Sequence, residues 1–153
     1  MKKVLILASA FTLTATAVIA AMGDNQSAID SRKALMQANG AAAGLAGAMM
    51  RQDIGYNPAM GKSVIATLNA VSHALPSFVP EGSTGEGTTA APAIWEEADA
   101  WQKQIADWQA DTMAAAEASG KDGPADLAAF QAAVGPVFEN CKSCHERFRV
   151  KNN

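Results

Sequence analysis

Cysteine and histidine are both scarce in this chain of 153 residues, with two of each: Cys141, Cys144, His73 and His145. A structural zinc site takes about four N or S ligands. Here His73 lies far from the other three in sequence, so that class is excluded. Aromatic residues make up 6% of the chain and β-branched residues are few, which works against a packed sheet. Positive charge is also short, 12 Lys and Arg against 15 Asp and Glu, for a net charge of −3 and a pI near 5.3. Such a chain lacks the basic footprint needed to hold nucleic acid or an anionic membrane surface. What remains is 49% hydrophobic, much of it alanine. That composition favours packed helices, and the length fits one domain with a real core.

The two cysteines stand together in Cys141-Lys142-Ser143-Cys144-His145. A Cys-x-x-Cys-His run reads as a covalent attachment site for c-type haem, two thiols for the vinyl groups and a histidine to ligate iron. On a helix, Cys141 and Cys144 share a face, so both sulfurs reach one edge of a flat macrocycle. A thioredoxin-like redox pair would need a βαβ setting, and no strand-like alternation surrounds these residues. A plain disulfide across one turn stays open for an exported protein.

Export is what the first segment predicts. Met1-Lys2-Lys3 is a basic start, Val4 to Ile19 is an apolar run diluted by Ser9 and three threonines, and Val18-Ile19-Ala20 offers small residues for cleavage. The expectation is a cleaved signal peptide over 1–20, a mature domain over 21–153 with no membrane anchor, and a periplasmic location. In bacteria c-type haem is attached on that side of the membrane.

Four helical segments follow. The first is predicted from about Ser27 or Ile29 to about Arg51, with Ile29, Met36, Ala43 and Met50 recurring at sevens and Arg32 on the same stripe. A charged residue on an inward stripe needs an anionic partner or a route to water, and a haem propionate suits the arginine fork. Gly40, Gly44 and Gly47 weaken this helix by about 1 kcal/mol each, which suggests close approach of a helix or of the haem. Pro58 opens a second helix whose inward stripe is Met60, Val64, Leu68, Val71 and Leu75, with His73 on the wet side. From Pro76 to Pro92 runs one long loop rich in Gly, Pro, Ser and Thr, pinned by Phe78 and Val79. A third helix from about Ala93 carries Ile94, Ala98, Trp101, Ile105, Trp108, Thr112 and Ala115 inward. The fourth carries Leu127, Phe130, Val134, Val137, Cys141, Cys144 and Phe148, interrupted by Gly135-Pro136. The cysteines thus continue the core stripe of their own helix, which puts the porphyrin inside the bundle.

These residues resemble a known family. Gly135-x-x-x-x-x-Cys141-x-x-Cys144-His145-Glu146-x-Phe148-Arg149 looks like the end of cytochrome c′, the class II c-type cytochromes. Arg32-x-x-x-Met36, Leu75-Pro76 before the Gly-rich loop, and Ile94-Trp95 are similar to the same family in the same order. The resemblance implies an all-α, antiparallel up-down-up-down four-helix bundle with haem c in its core, the architecture known for cytochrome c′. It implies thioether bonds from Cys141 and Cys144, and His145 as the single protein ligand to iron. It also implies Arg32 paired with a propionate, Met36 covering the distal face, and Arg149 beside the proximal pocket. Phe148 departs from the tyrosine common in relatives.

Two functions follow from that resemblance. With Met36 only packed over the iron, the haem is five-coordinate and high-spin in an apolar distal pocket. Small gases such as nitric oxide or carbon monoxide then bind, alongside electron transfer with periplasmic redox partner proteins. With the Met36 sulfur on iron, the haem is six-coordinate and low-spin, a dedicated electron carrier without gas binding. No histidine or carboxylate falls on a clear distal stripe, so an enzyme is not expected. The family also allows a homodimer.

Overall fold

The computed structural model describes residues 13–150, with side chains from Asn25 onward. Residues 1–12 of the expected signal segment lie outside the described residues. Five helices follow in order: α1 (Leu13–Met50), α2 (Pro58–Ala74) running into a 3-10 turn (Leu75–Phe78), α3 (Ala93–Glu96), α4 (Ala98–Ser119) and α5 (Leu127–Phe148). The long helices α1, α2, α4 and α5 pack each against its neighbour in the chain, and α5 closes the ring against α1. This is the predicted four-helix bundle, with α3 a single turn leading into α4. Among the described residues no helix is long and apolar enough to cross a membrane.

The boundaries have local causes. α1 ends with Gln52 at φ 60, where Gln52 N–H reaches the Met49 carbonyl (3.1 Å) and Asp53 N–H the Ala48 carbonyl (2.9 Å). That is a Schellman closure made without glycine. Asn57 then caps α2, its side chain accepting from the Ala59 and Met60 N–H groups at 2.9 and 3.2 Å ahead of Pro58. Asp126 caps α5 in the same way, accepting from Ala129 N–H at 2.8 Å. Between α4 and α5, Gly123 holds φ +94 with its Cα packed against the Pro58 carbonyl; a Cβ there would lie 2.2 Å from that oxygen. Pro136 sits inside α5 without ending it. Its ring and Ala132, whose carbonyl loses the helical bond, both lie on the exposed face where water can serve instead.

The core forms around Phe130, Met49, Ile65, Leu68, Val64, Val134 and Val137, all essentially sealed from solvent. The α2 and α5 stripes match expectation from Val64 to Leu75 and from Phe130 to Val137, and His73 is exposed as predicted. Three readings are corrected. The first helix begins at Leu13, because nothing in the proline-free run before Ser27 stops it. Its buried line is Ile29, Arg32, Asn39, Ala42, Ala46 and Met49, while Met36, Ala43 and Met50 are only half-buried. The helix is turned by about one residue so that small Ala42 and Ala46 meet α2. Gly40 and Gly44 face open space and a Cβ on Gly47 would meet only the Arg51 side chain, so these glycines mediate no close helix packing. The third helix is broken at Glu97 (φ −119, ψ 49), which leaves Ala98 exposed while Ile94 stays buried under the loop.

The loop before α3 is held by polar contacts more than by Phe78 and Val79. Asn25 Nδ2 donates to the Gly82 carbonyl (3.2 Å) and Trp95 Nε1 to the Pro80 carbonyl (3.2 Å). Its end forms an antiparallel bridge with the end of α5: Ala91 N–H donates to the Phe148 carbonyl and Val150 N–H to the Thr89 carbonyl, both at 2.9 Å. The loop therefore lies across the C-terminal end of α5, next to the Cys-x-x-Cys-His turn.

Candidate functional site

The bundle leaves a slot between α1 and α5, in two adjoining cavities. The first, about 330 Å³, lies toward the loop and is lined by Arg32, Lys33, Leu75, Thr88, Trp101 and Phe148 among others. The second, about 320 Å³, reaches toward the bundle centre between Asn39, Gly40, Leu68, Trp108, Phe138 and Cys141. Met36, Leu75, Thr89, Cys144, His145 and Arg149 line both. Sequence reasoning singled out six site residues. The structure brings all of them to this slot: Cys141, Cys144, His145 and Arg149 from its α5 end, Arg32 and Met36 from α1.

The α5 wall places both sulfurs on the slot side. Cys141 and Cys144 are free thiols, so they are not paired with each other. Burial pushes both thiols up, Cys144 to about 11 with Cys141 close by adding to it. His145 is half-buried, and burial first and the Arg149 charge second hold its imidazole below the ordinary value. A neutral imidazole keeps a lone pair available for a metal. Phe148 is buried behind it with Trp101 edge-on at 5.3 Å between ring centroids. Arg147 caps that pair from outside, 5.4 Å above the Phe148 ring, while its Nε donates to Glu97 at 2.6 Å.

From α1, Met36 lines both cavities, as His145 does from α5. Arg32, 7% exposed, has its fork on the loop: Nη1 donates to the Phe78 carbonyl and Ser83 Oγ, both 2.7 Å, and Nη2 to the Ser83 carbonyl (2.6 Å) and Thr88 Oγ1 (3.3 Å). All four acceptors are neutral. Burial lowers the Arg32 pKa, and the charge has no carboxylate against it among the described residues.

A haem fits this lining. Two thiols and an imidazole share one wall, the remaining walls are largely apolar, and the lining includes Arg32, Lys33 and Arg149 but no carboxylate. A flat macrocycle carrying two carboxylates meets each of those features. Cys141 and Cys144 would hold it covalently, His145 would face the iron, and the arginines would offset the propionate charge. His73 lines neither cavity.

Asn39, Thr88 and Thr89 escaped the sequence reading, whereas Trp108 was placed inward but not singled out for the site. Asn39 is 8% exposed and its Oδ1 has no hydrogen-bond partner; Trp108 is 4% exposed and its Nε1 has none either. Both residues line the second cavity. Arg32, Asn39 and Ala46 recur at sevens, so counting heptads from Arg32 instead of from Ile29 would have found the asparagine. Thr88 and Thr89 carried no periodic signal, because a loop brings them in.

The family model described as Cytochrome C′ matches residues 27–149. The chain is 34% identical to a cytochrome c′ of Cereibacter sphaeroides, covering 99% of both chains. It is 32% identical to one of Rhodopseudomonas palustris, covering 97% of this chain and 92% of that one. The solved structure of a Rhodopseudomonas palustris cytochrome c′ superposes with a TM-score of 0.73 at 33% identity, over 82% of this chain and 98% of that one.

Proposed function

Because the chain belongs to the cytochrome c′ family, whose members carry covalently bound haem c, we propose that it is a periplasmic electron-transfer protein whose iron keeps one axial position open to small uncharged gases. When bound, the haem supplies a redox-active iron. The protein's own residues do the rest. Cys141 and Cys144 would anchor the group, and His145, kept neutral by burial and by Arg149, would ligate its iron. Met36, which borders both cavities with His145, would restrict access to it. The loop from Val79 to Pro92, fastened by Arg32, forms one wall of the first cavity.

The observation that carries this reading is the placement of Met36, half-buried on α1 and bordering both cavities together with His145. A flexible thioether at the edge of the buried stripe is held by fewer neighbours than a core residue and can swing aside for a ligand the size of nitric oxide or carbon monoxide. We read the protein as a carrier and gas-binding protein; among the described residues that line the two cavities, no carboxylate and no histidine besides His145 offers an acid-base group suited to peroxide chemistry. The acidic balance of the chain suits redox partners with a basic docking face, and a homodimer is compatible with the exposed small-residue face of α1.

Optical spectra of the ferric and ferrous protein, before and after carbon monoxide, test the reading. A high-spin ferrous spectrum that shifts with the gas is expected. A sharp low-spin ferrous band unmoved by the gas would overturn it in favour of Met36 as second axial ligand.

A further inference from the structure

Arg32 has no terminal hydrogen to spare. Its two Nη nitrogens carry four hydrogens, and all four go to neutral groups of the loop: the Phe78 carbonyl, Ser83 Oγ, the Ser83 carbonyl and Thr88 Oγ1. The fork that the family resemblance offers to a propionate is therefore already filled. At Thr88 the count runs the other way. Its Oγ1 accepts twice, from Arg32 Nη2 at 3.3 Å and from Ala90 N–H at 3.1 Å. A hydroxyl has two acceptor sites and one hydrogen. The hydrogen alone is left, and no acceptor among the described residues takes it up. Thr88 is half-buried and lines the first cavity beside Arg32, Lys33 and Arg149, with no carboxylate in that lining.

We propose that the Thr88 hydroxyl is a hydrogen-bond donor to a haem propionate, with Arg32 acting through it as a positioning residue and not on the carboxylate itself. The proposal rests on haem binding in the slot and is independent of gas binding. The two cavities give the slot a direction. Cys141 lines only the second, Cys144 lines both, and Arg32, Lys33 and Thr88 line only the first. The vinyl groups that meet the thiols and the two propionates stand on opposite edges of the macrocycle, so the carboxylates belong toward the first cavity. There a guanidinium bonded to the oxygen of Thr88 polarises its O–H, which makes it a stronger donor to an anion than an isolated threonine. Lys33 and Arg149 add positive charge from the exposed rim. The loop thus contributes a polar contact to the cofactor, and Arg32 fixes where that contact stands.

The test is the propionate bending mode in the resonance Raman spectrum of the ferrous holoprotein, in the unsubstituted chain and in Thr88→Val and Thr88→Ser. That mode moves to higher wavenumber as hydrogen bonding to the carboxylate strengthens. Valine keeps the shape of the side chain and removes the hydroxyl; serine keeps the hydroxyl. Thr88→Val is expected to lower the mode, and Thr88→Ser to hold it near the unsubstituted position. The reduction potential is expected to fall in Thr88→Val, because a carboxylate that has lost a donor leaves more negative charge near the iron and favours the ferric state. Limited proteolysis between Gly82 and Thr89 is expected to run at the same rate in all three proteins, since Arg32 keeps its bonds to Phe78 and Ser83. A mode unmoved by valine, or lowered equally by serine, overturns the Thr88 assignment and leaves haem binding standing. Faster cleavage in Thr88→Val than in Thr88→Ser overturns it too, because the shift then belongs to a released loop. Failure of the unsubstituted chain to carry covalent haem after maturation with the export and attachment machinery overturns both.

Discussion

Arg32 on α1 grips Ser83 in the long loop twice, Nη1 on its hydroxyl and Nη2 on its carbonyl, at 2.7 and 2.6 Å. Ser83 is itself fully buried, and its hydroxyl turns back to the Pro80 carbonyl at 2.7 Å. A loop without regular structure, which lines the first cavity through Val79, Thr88 and Thr89, is thereby fixed by one guanidinium. Arg32→Met keeps the aliphatic stem and removes the donors. The expected cost is about 2–3 kcal/mol, since the bonds lost are charge-assisted and buried. Denaturant unfolding measures the loss, and limited proteolysis should show faster cleavage between Gly82 and Thr89 than in the unsubstituted protein. Unchanged cleavage would mean that the bridge to α5 holds the loop alone.

Gly123 is the point where the last connection of the bundle touches the start of α2. Its positive φ alone makes a side chain costly, about 1–3 kcal/mol, and a Cβ would meet the Pro58 carbonyl at 2.2 Å. Gly123→Ala is expected to lower the denaturation midpoint far more than Gly44→Ala. Gly44 faces open space on a helix and should gain stability from alanine.

Between α2 and α4 the buried contact is polar: Ser72 Oγ and Thr112 Oγ1 lie 2.9 Å apart. Each hydroxyl is also within reach of a carbonyl of its own helix, Ser72 of Asn69 and Thr112 of Gln109; with one hydrogen apiece, one hydroxyl donates across the interface while the other donates to its own helix. A double-mutant cycle with Ser72→Ala and Thr112→Val is expected to return a coupling of about 1 kcal/mol. Additive single effects would assign the stabilisation to the two local bonds instead.

The chain has one tyrosine, so its titration can be followed without ambiguity. Tyr56 Oη donates to the Pro124 carbonyl at 2.6 Å, and burial first and Asp126 second push its pKa above the ordinary 10.0. Above pH 10 the unfolded chain therefore loses this proton while the folded chain keeps it, so the folded state binds more protons and stability falls as pH rises. Below pH 10 the group contributes no pH dependence. Phenolate absorbance should rise at higher pH in the native protein than in denaturant, and Tyr56→Phe should remove this part of the alkaline loss.

Much of the site was legible because it is local. Cys141, Cys144 and His145 occupy one helical turn, and no tertiary information is needed to read what two thiols and an imidazole at that spacing can hold. The inward stripes of α2 and α5 were legible for the same reason: 3.6-residue periodicity records which side of a helix is apolar. In α1 the signal failed. Ala42 and Ala46 carry too little apolar contrast to set them apart from exposed alanines nearby, so the heptads through Ile29 and through Arg32 looked alike, and the wrong one was followed.

By itself, then, the sequence determined that this is a helical haem-binding chain, how many long helices form the bundle, and which turn carries the attachment chemistry. Each of those is fixed by residues within a turn or two of one another. Tertiary structure decided what surrounds that turn. It set the rotation of α1 that buries Asn39, brought Trp108 to the same cavity from α4, and gave the Arg32 fork to loop carbonyls and hydroxyls more than forty positions away in the chain. Those outcomes depend on how four helices share one interior, where a polar atom is placed by the packing of its neighbours and not by the pattern of its own segment.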